Sequence, residues 1–332
     1  MSANQVVLDV RHLRVHFHLD EGVLKAVDGV DLTVRRGCVL GLVGESGCGK
    51  SVTAQAILRI VPRPGVVEGE VLLHRRNTQA PIDLVKLDPF GSEMRAIRGG
   101  EIGMIFQEPM KAFSPVHTIG DQITEGILLH VTPDRKLAHE LALETLKRVE
   151  MPNPAQRLNE YPHQLSGGMR QRALIAMALS CRPSVLIADE PTTAVDVTVQ
   201  AQILRLMKQL QAELGMAMIF ITHDLGVIAE MADQVAVMYL GQVVELADVD
   251  SVFYEPCHPY TRALLRSIPE VGAEPRSMLS TIEGTVPVPI NLKPGCGFHS
   301  RCEHARPDCL DARSVPMVEV STGHFVRCIL YA

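Results

Sequence analysis

The chain has 332 residues, 46% of them hydrophobic and 21% charged, with 32 basic against 38 acidic side chains and a net charge of −6. That length favours one large domain with a smaller appendage, and the composition is that of a globular protein with ample apolar material for a core. The negative balance supplies no broad electrostatic footprint for a phosphate polymer, so nucleic acid is not an expected partner.

No apolar run approaches the roughly 18 residues needed to span a bilayer, and residues 1–14 alternate apolar and charged side chains where a secretory signal would be apolar. The chain is expected in the cytosol, with its eight cysteines as reduced thiols open to metal or redox chemistry. Short β-rich pieces come first, at residues 6–10, 15–17 and 30–34, and predict an antiparallel N-terminal sheet. An all-apolar run at residues 39–43 ends in a Gly-rich turn and is followed by a helix-like stretch over residues 51–60, an order that signals a parallel sheet. Further buried strands read at residues 102–106, 185–188 and 216–221, with helical segments between them. Apolar side chains at Leu137, Leu141, Leu143, Leu146 and Val149 keep near-helical spacing, and residues 200–214 repeat it. From about residue 251 proline becomes frequent (Pro256, Pro259, Pro269, Pro275, Pro287, Pro289, Pro294) and half of the cysteines follow residue 290, which puts a domain boundary near residue 250.

Gly44-Glu45-Ser46-Gly47-Cys48-Gly49-Lys50-Ser51 fits G-x-x-x-x-G-K-[ST] between a buried strand and a helix, the context that phosphate binding requires. The glycines let successive backbone N–H groups turn toward one centre at a helix N-terminus, where the macrodipole favours an anion. Lys50 should reach the β- and γ-phosphates, and Ser51 offers a hydroxyl to Mg²⁺, a hard ion that prefers oxygen ligands.

That loop would suit a kinase or a GTPase equally, so discrimination rests on residues further along. Leu165-Ser166-Gly167-Gly168-Met169 precedes a helix-like stretch, and Ser166 with the N–H groups of Gly167 and Gly168 makes a second anion site at a helix start. One nucleotide cannot easily touch both sites in one monomer. The economical solution is a head-to-tail dimer with ATP between the loop of one subunit and the Ser166 motif of the other. A buried strand ends in Asp189 and Glu190: Asp189 is placed to orient Mg²⁺ through its water shell and Glu190 to polarise the attacking water. Gln107 follows a strand and can contact Mg²⁺ and that water, while His223 follows another and can hydrogen-bond the γ-phosphate. A lone Gln or His at a strand end is more often structural; order and spacing along one chain are what favour function here.

Together these stretches resemble the nucleotide-binding domains of ABC transporters over residues 6–250. The resemblance implies an α/β P-loop NTPase core with an N-terminal antiparallel β subdomain, a helical insert at about residues 108–180, and a small Cys-rich C-terminal extension at residues 251–332. It further implies a Q-loop at Gln107, a signature at Leu165 to Met169, a catalytic base at Glu190, a D-loop at Thr193-Ala194-Val195-Asp196 and a switch histidine at His223. Family members stack an aromatic on the adenine before the P-loop; Phe17 is the one on offer here, and the contact is left open. A soluble cassette ATPase working on ribosomes or DNA is the rival reading, but it needs basic surfaces or two cassettes in one chain. A P-loop phosphotransferase has no use for the Ser166 motif.

The wording of Ala26-Val27-Asp28-Gly29-Val30, Phe106-Gln107-Glu108-Pro109-Met110 and Cys257-His258-Pro259-Tyr260-Thr261-Arg262-Ala263-Leu264-Leu265 resembles the dipeptide and oligopeptide importer ATPases. This implies ATP and Mg²⁺, a second related ATPase subunit in a heterodimer, two transmembrane permeases gripped through the helical insert, an extracytoplasmic solute-binding protein, and a peripheral place on the cytoplasmic face of the plasma membrane. Phe113-Ser114-Pro115-Val116 departs from the peptide-importer wording, and oligosaccharides or nickel are the alternative cargoes.

Cys296, Cys302, Cys309 and Cys328 are separated by gaps of five, six and eighteen residues. Four thiolates can close a metal site; these gaps lack the C-x-x-C knuckles of structural zinc, and looser loops can hold a 4Fe-4S cluster. The resemblance extends through Gly295-Cys296-Gly297-Phe298-His299-Ser300-Arg301-Cys302 and implies such a cluster in some members. Zinc, with His299, His304 or His324 substituting as ligand, is the alternative, and a metal-free tail is the third. Cys38, Cys181 and Cys257 are expected to pack, whereas Cys48, inside a positively polarised loop, is expected to have a lowered pKa and to react with alkylating agents.

Overall fold

The computed structural model describes residues 5–75, 80–193, 195–268, 282–292, 294–311 and 315–332, so Ala194, Pro269 and Pro275 lie outside the described residues. The chain divides into two compact units interleaved in sequence: Met1–Val7, Val34–Cys38 and Lys86–Ile221 form one, and Leu8–Thr33, Val39–Val85 and Thr222–Ala332 the other.

In the second unit all five residues of the Val39–Val43 strand are buried, which is why the run carries no polar residue. It pairs in parallel with Gln234–Tyr239, with Leu40 opposite Gln234 and Val43 opposite Val237. Gln242–Asp248 follows antiparallel, and beyond it His324–Val326 and Val318–Ser321 continue the same sheet, with Glu245 opposite Val326. The end of the chain is therefore woven into the sheet that carries the Gly44–Ser51 loop. The short N-terminal pieces expected from sequence are two fourteen-residue strands, Val6–Leu19 and Gly22–Arg35. A bulge between Arg11 and Arg14, with His12 at φ 47°, lets pairing with Gly65–Leu73 resume beyond the polar stretch.

The first unit holds three parallel strands, Ile102–Ile105, Val185–Asp189 and Ala217–Ile221, with Val185–Asp189 in the middle. Its main helices are Ile119–His130, Arg135–Arg148, Gly167–Leu179 and Val197–Leu214. Side chains of Thr118, Asp134, Ser166 and Asp196 cap them, each accepting a first-turn N–H. On Arg135–Arg148 the buried stripe is Ala138, Ala142 and Leu146, while Leu137 is 42% exposed. The leucine pattern located this helix, but its packed face is the one that small alanines let approach its neighbours. No described helix is long and apolar enough to cross a membrane.

Candidate functional site

The Val39–Val43 strand runs into Gly44, and the loop turns through positive φ at Gly44, Gly47 and Gly49 before the Lys50–Ile57 helix. A Cβ on Gly44 would strike the Met238 carbonyl and one on Gly49 the Ala26 carbonyl, whereas Gly47 faces open space. Two glycines thus seat the loop and the third leaves its outer side clear. The Ala26 to Val30 wording finds its reason here: Ala26 abuts Gly49, and Asp28 N–H donates to Gly241 O, whose own N–H donates to Cys48 O. Lys50 is buried, and its Nζ donates to Gly44 O at 2.7 Å and Glu45 O at 3.1 Å. An ammonium held among loop backbone groups at a helix start fits a polyphosphate.

Cys48 does not match the expectation of a reactive thiol. It is fully buried, and burial pushes its pKa up; the Lys50 ammonium, 3.6 Å away, opposes this with less effect. Desolvation of a thiolate outweighs the polarisation of the loop. His223 is exposed and belongs to the same unit, one residue after Thr222, whose N–H donates to Leu42 O beside the end of the P-loop strand. Phe17, the candidate for the adenine, pairs with Gly65 and lies against it.

In the other unit, Asp189 is buried at the end of its strand, and Glu190 follows in a left-handed conformation, φ 46°. Glu190 N–H donates to Ile221 O, and Thr193 Oγ1 donates to Glu190 O at 2.7 Å, which together fix the kink. Gln107 Nε2 donates to Glu190 Oε2 at 3.0 Å, so the glutamine and the carboxylate come together. Ser166 is exposed, and its hydroxyl accepts Met169 N–H. A Cβ on Gly168 would lie 2.8 Å from Val199 Cγ1, so that glycine is needed for close packing as well as for its N–H. Asp196 caps the Val197–Leu214 helix; Ala194 of the expected D-loop lies outside the described residues.

Cys296, Cys302, Cys309 and Cys328 line one small cavity. Backbone N–H groups point at the sulfurs: His304 at Cys302 (3.4 Å), Arg306 at Cys309 (3.5 Å), Phe298 at Cys296 and Leu330 at Cys328. Burial pushes Cys296 up to about 11, with the three neighbouring thiols adding to the shift, and raises Cys302 and Cys328. Four thiols around one cavity, each with an N–H donor, suit a cationic centre that stabilises thiolates. No three of them lie mutually within 4.8 Å, whereas Zn–S bonds of about 2.3 Å bring tetrahedral sulfurs to roughly 3.8 Å. Of the histidines weighed as zinc ligands, His324 is engaged by Glu245 (Nε2 2.7 Å from Oε1), whereas His299, whose Nδ1 is 2.6 Å from Cys296 O, and His304 line the same cavity as the thiols. Among the described residues, the one tight group with metal-binding atoms is Glu245, Cys257 and His324. Its carboxylate already accepts from Cys257 N–H, His258 N–H and His324, so a buried charge is satisfied by protein donors.

Two residues that the sequence reading passed over also reach the P-loop. Tyr260 Oη accepts Glu45 N–H at 2.8 Å, and Arg301 grips the Glu45 carboxylate with two bonds, 2.7 and 3.0 Å. Both stood inside quoted motifs, but nothing local in those motifs points to residue 45.

Residues 27–193 match the ABC transporter family, and residues 244–309 match the oligopeptide/dipeptide transporter C-terminal region. The chain is 50% identical over 325 residues to a probable peptide ABC transporter ATP-binding protein of Sinorhizobium fredii, covering 97% of this chain and 94% of that one. It is 46% identical over 330 residues to the dipeptide transport ATP-binding protein DppD of Bacillus subtilis, covering 98% and 94%. Among solved structures it is similar to a dimeric bacterial ABC transporter cassette, with 27% identity, TM-score 0.63, and 73% of this chain and 98% of that chain covered. It is also similar to cbiO1 of Clostridium perfringens, part of an ABC transporter complex, with 26% identity, TM-score 0.62, and 76% and 92% covered. Matched along nearly its whole length, the chain belongs to the ATP-binding subunits of ABC transporters, in the group that carries the oligopeptide/dipeptide transporter C-terminal region.

Proposed function

We propose that this subunit binds and hydrolyses ATP to power the uptake of dipeptides or oligopeptides. The observation that carries the reading is the phosphate loop seated around Lys50; in the other unit Gln107 holds the Glu190 carboxylate. The C-terminal match and the names of the relatives favour peptides over oligosaccharides or nickel. Backbone N–H groups from Ser46 to Ser51, with Lys50, bind the phosphates. Ser51 and Gln107 are the residues to hold Mg²⁺, which neutralises phosphate charge when bound, and Asp189 orients it through its water shell. Glu190 takes the proton of the attacking water, Gln107 orients that carboxylate, and His223 reads the γ-phosphate.

Ser166, Gly167 and Gly168, exposed or half-exposed at a helix start, serve the nucleotide of a partner subunit. The solved dimeric cassette supports that pairing by analogy. A second related ATPase, two membrane permeases and a solute-binding protein complete the assembly, with this subunit on the cytoplasmic face of the plasma membrane. Residues 251–332 form the extension. Its four cysteines hold a 4Fe-4S cluster, a reading supported by their shared cavity. Such a cluster supplies cross-linking and one-electron chemistry when bound.

In the assembled transporter, Glu190→Gln is expected to keep ATP binding while turnover falls about 10²–10⁴-fold, because an amide cannot accept the proton. Nucleotide binding and phosphate release measured side by side check this. Unchanged turnover would reject Glu190 as the base.

A further inference from the structure

Residues 296–302 join two chemistries. Cys296 and Cys302 line the thiol cavity, and between them Phe298 packs on Tyr239 and Tyr260 while Arg301 reaches the P-loop. The Arg301 side chain is only 4% exposed. Its guanidinium makes a forked pair with Glu45, its Nε donates to Glu283 O at 2.9 Å, and it lies 5.9 Å from the Tyr239 ring centre. The Glu45 bond is the largest influence on the guanidinium and holds it firmly charged. A planar fork of this kind fixes the orientation of a carboxylate as well as its position.

Glu45 is the second residue of the P-loop, and both ends of it are taken. Its N–H donates to Tyr260 Oη, its carboxylate belongs to Arg301, and its own carbonyl accepts from Lys50 Nζ at 3.1 Å. With N–H and side chain both anchored, the carbonyl has little freedom to turn. The direction in which it presents an acceptor to Lys50 is thereby set from outside the loop.

We propose that Arg301 and Tyr260 are positioning residues for ATP: by clamping Glu45 they hold Lys50 in the phosphate-binding geometry, so that the C-terminal extension sets part of the nucleotide affinity. The clamp acts through Glu45 and Lys50, and neither residue need touch the nucleotide. This rests on the ATP-binding reading above and is independent of what the thiols hold or which solute is carried.

The test is titration of the full-length chain with MgATP, with the thermal midpoint recorded without nucleotide. Tyr260→Phe keeps the ring and removes only the acceptor for Glu45 N–H; Arg301→Met removes the fork. Each is expected to weaken ATP binding about tenfold, a 1.4 kcal/mol loss. The double variant Arg301→Met with Glu45→Gln is expected to be no weaker than the worse single, since both delete one interaction. Arg301→Lys should recover part of the loss. Wild-type affinity, measured alongside, tests the ATP reading separately. Wild-type ATP affinity in both Tyr260→Phe and Arg301→Met would overturn the proposal, and so would losses that follow the fall in thermal midpoint with no recovery in Arg301→Lys.

Discussion

His258 is a buried imidazole whose Nδ1 accepts Tyr260 N–H at 3.0 Å and so caps the Pro259–Arg266 helix. Only a neutral ring can accept there, and burial pushes its pKa down to about 3. An unfolded chain takes up the proton near pH 6.5 while the fold refuses it. Stability from this group is therefore complete above pH 6.5 and is lost as pH falls from there toward 3, by about 1.4 kcal/mol per pH unit. Denaturant unfolding at pH 7.5 and 5.5 should show that decline, and His258→Asn should flatten it. An equal decline in the variant would assign it to other groups. Cys48 teaches the same physics with the opposite charge: burial decides which form of a titrating group survives, whatever the local motif suggests.

At the scale of elements, the Arg135–Arg148 helix separates pattern from packing. Its leucines mark a helical period, but only Leu146 is fully buried among the alanines, and Leu137 stands 42% exposed. Leu146→Ala is expected to cost about 2–5 kcal/mol through the cavity it leaves, and Leu137→Ala about 0.5 kcal/mol or less. Urea midpoints at constant slope measure both. Equal costs would mean the buried stripe has been misread. The N-terminal strands make a related point: polar residues around Arg11 and His12 look like a break in sequence, yet a single bulge carries the strand through.

For the whole molecule, the C-terminal segment shares a sheet with the P-loop strand and surrounds a buried carboxylate: Glu245 accepts from Cys257, His258 and His324. The described residues of 282–332 otherwise form few regular elements and little core of their own. Under the proposed cluster, cross-linking through the four thiols would supply order to this segment. Protein purified without oxygen is expected to be brown and to contain iron and acid-labile sulfide in equal amounts. Chelation, or serine at Cys302 and Cys309 together, should remove the colour and lower the thermal midpoint. A colourless, zinc-containing preparation would exclude the cluster.

What the sequence determined by itself is the chemistry written in contiguous residues. The P-loop, the Ser166 helix start and the Asp189–Glu190 strand end are readable because glycine conformation, helix caps and strand polarity are short-range properties. The parallel sheet was legible for the same reason, from runs that are apolar on both faces. Only the tertiary structure decided the long-range pairs. Arg301 meets Glu45 across 256 positions, Tyr260 meets it across 215, and four thiols with no metal-knuckle spacing converge on one cavity. No local rule specifies such meetings, because they depend on which strands lie side by side after the sheet has closed.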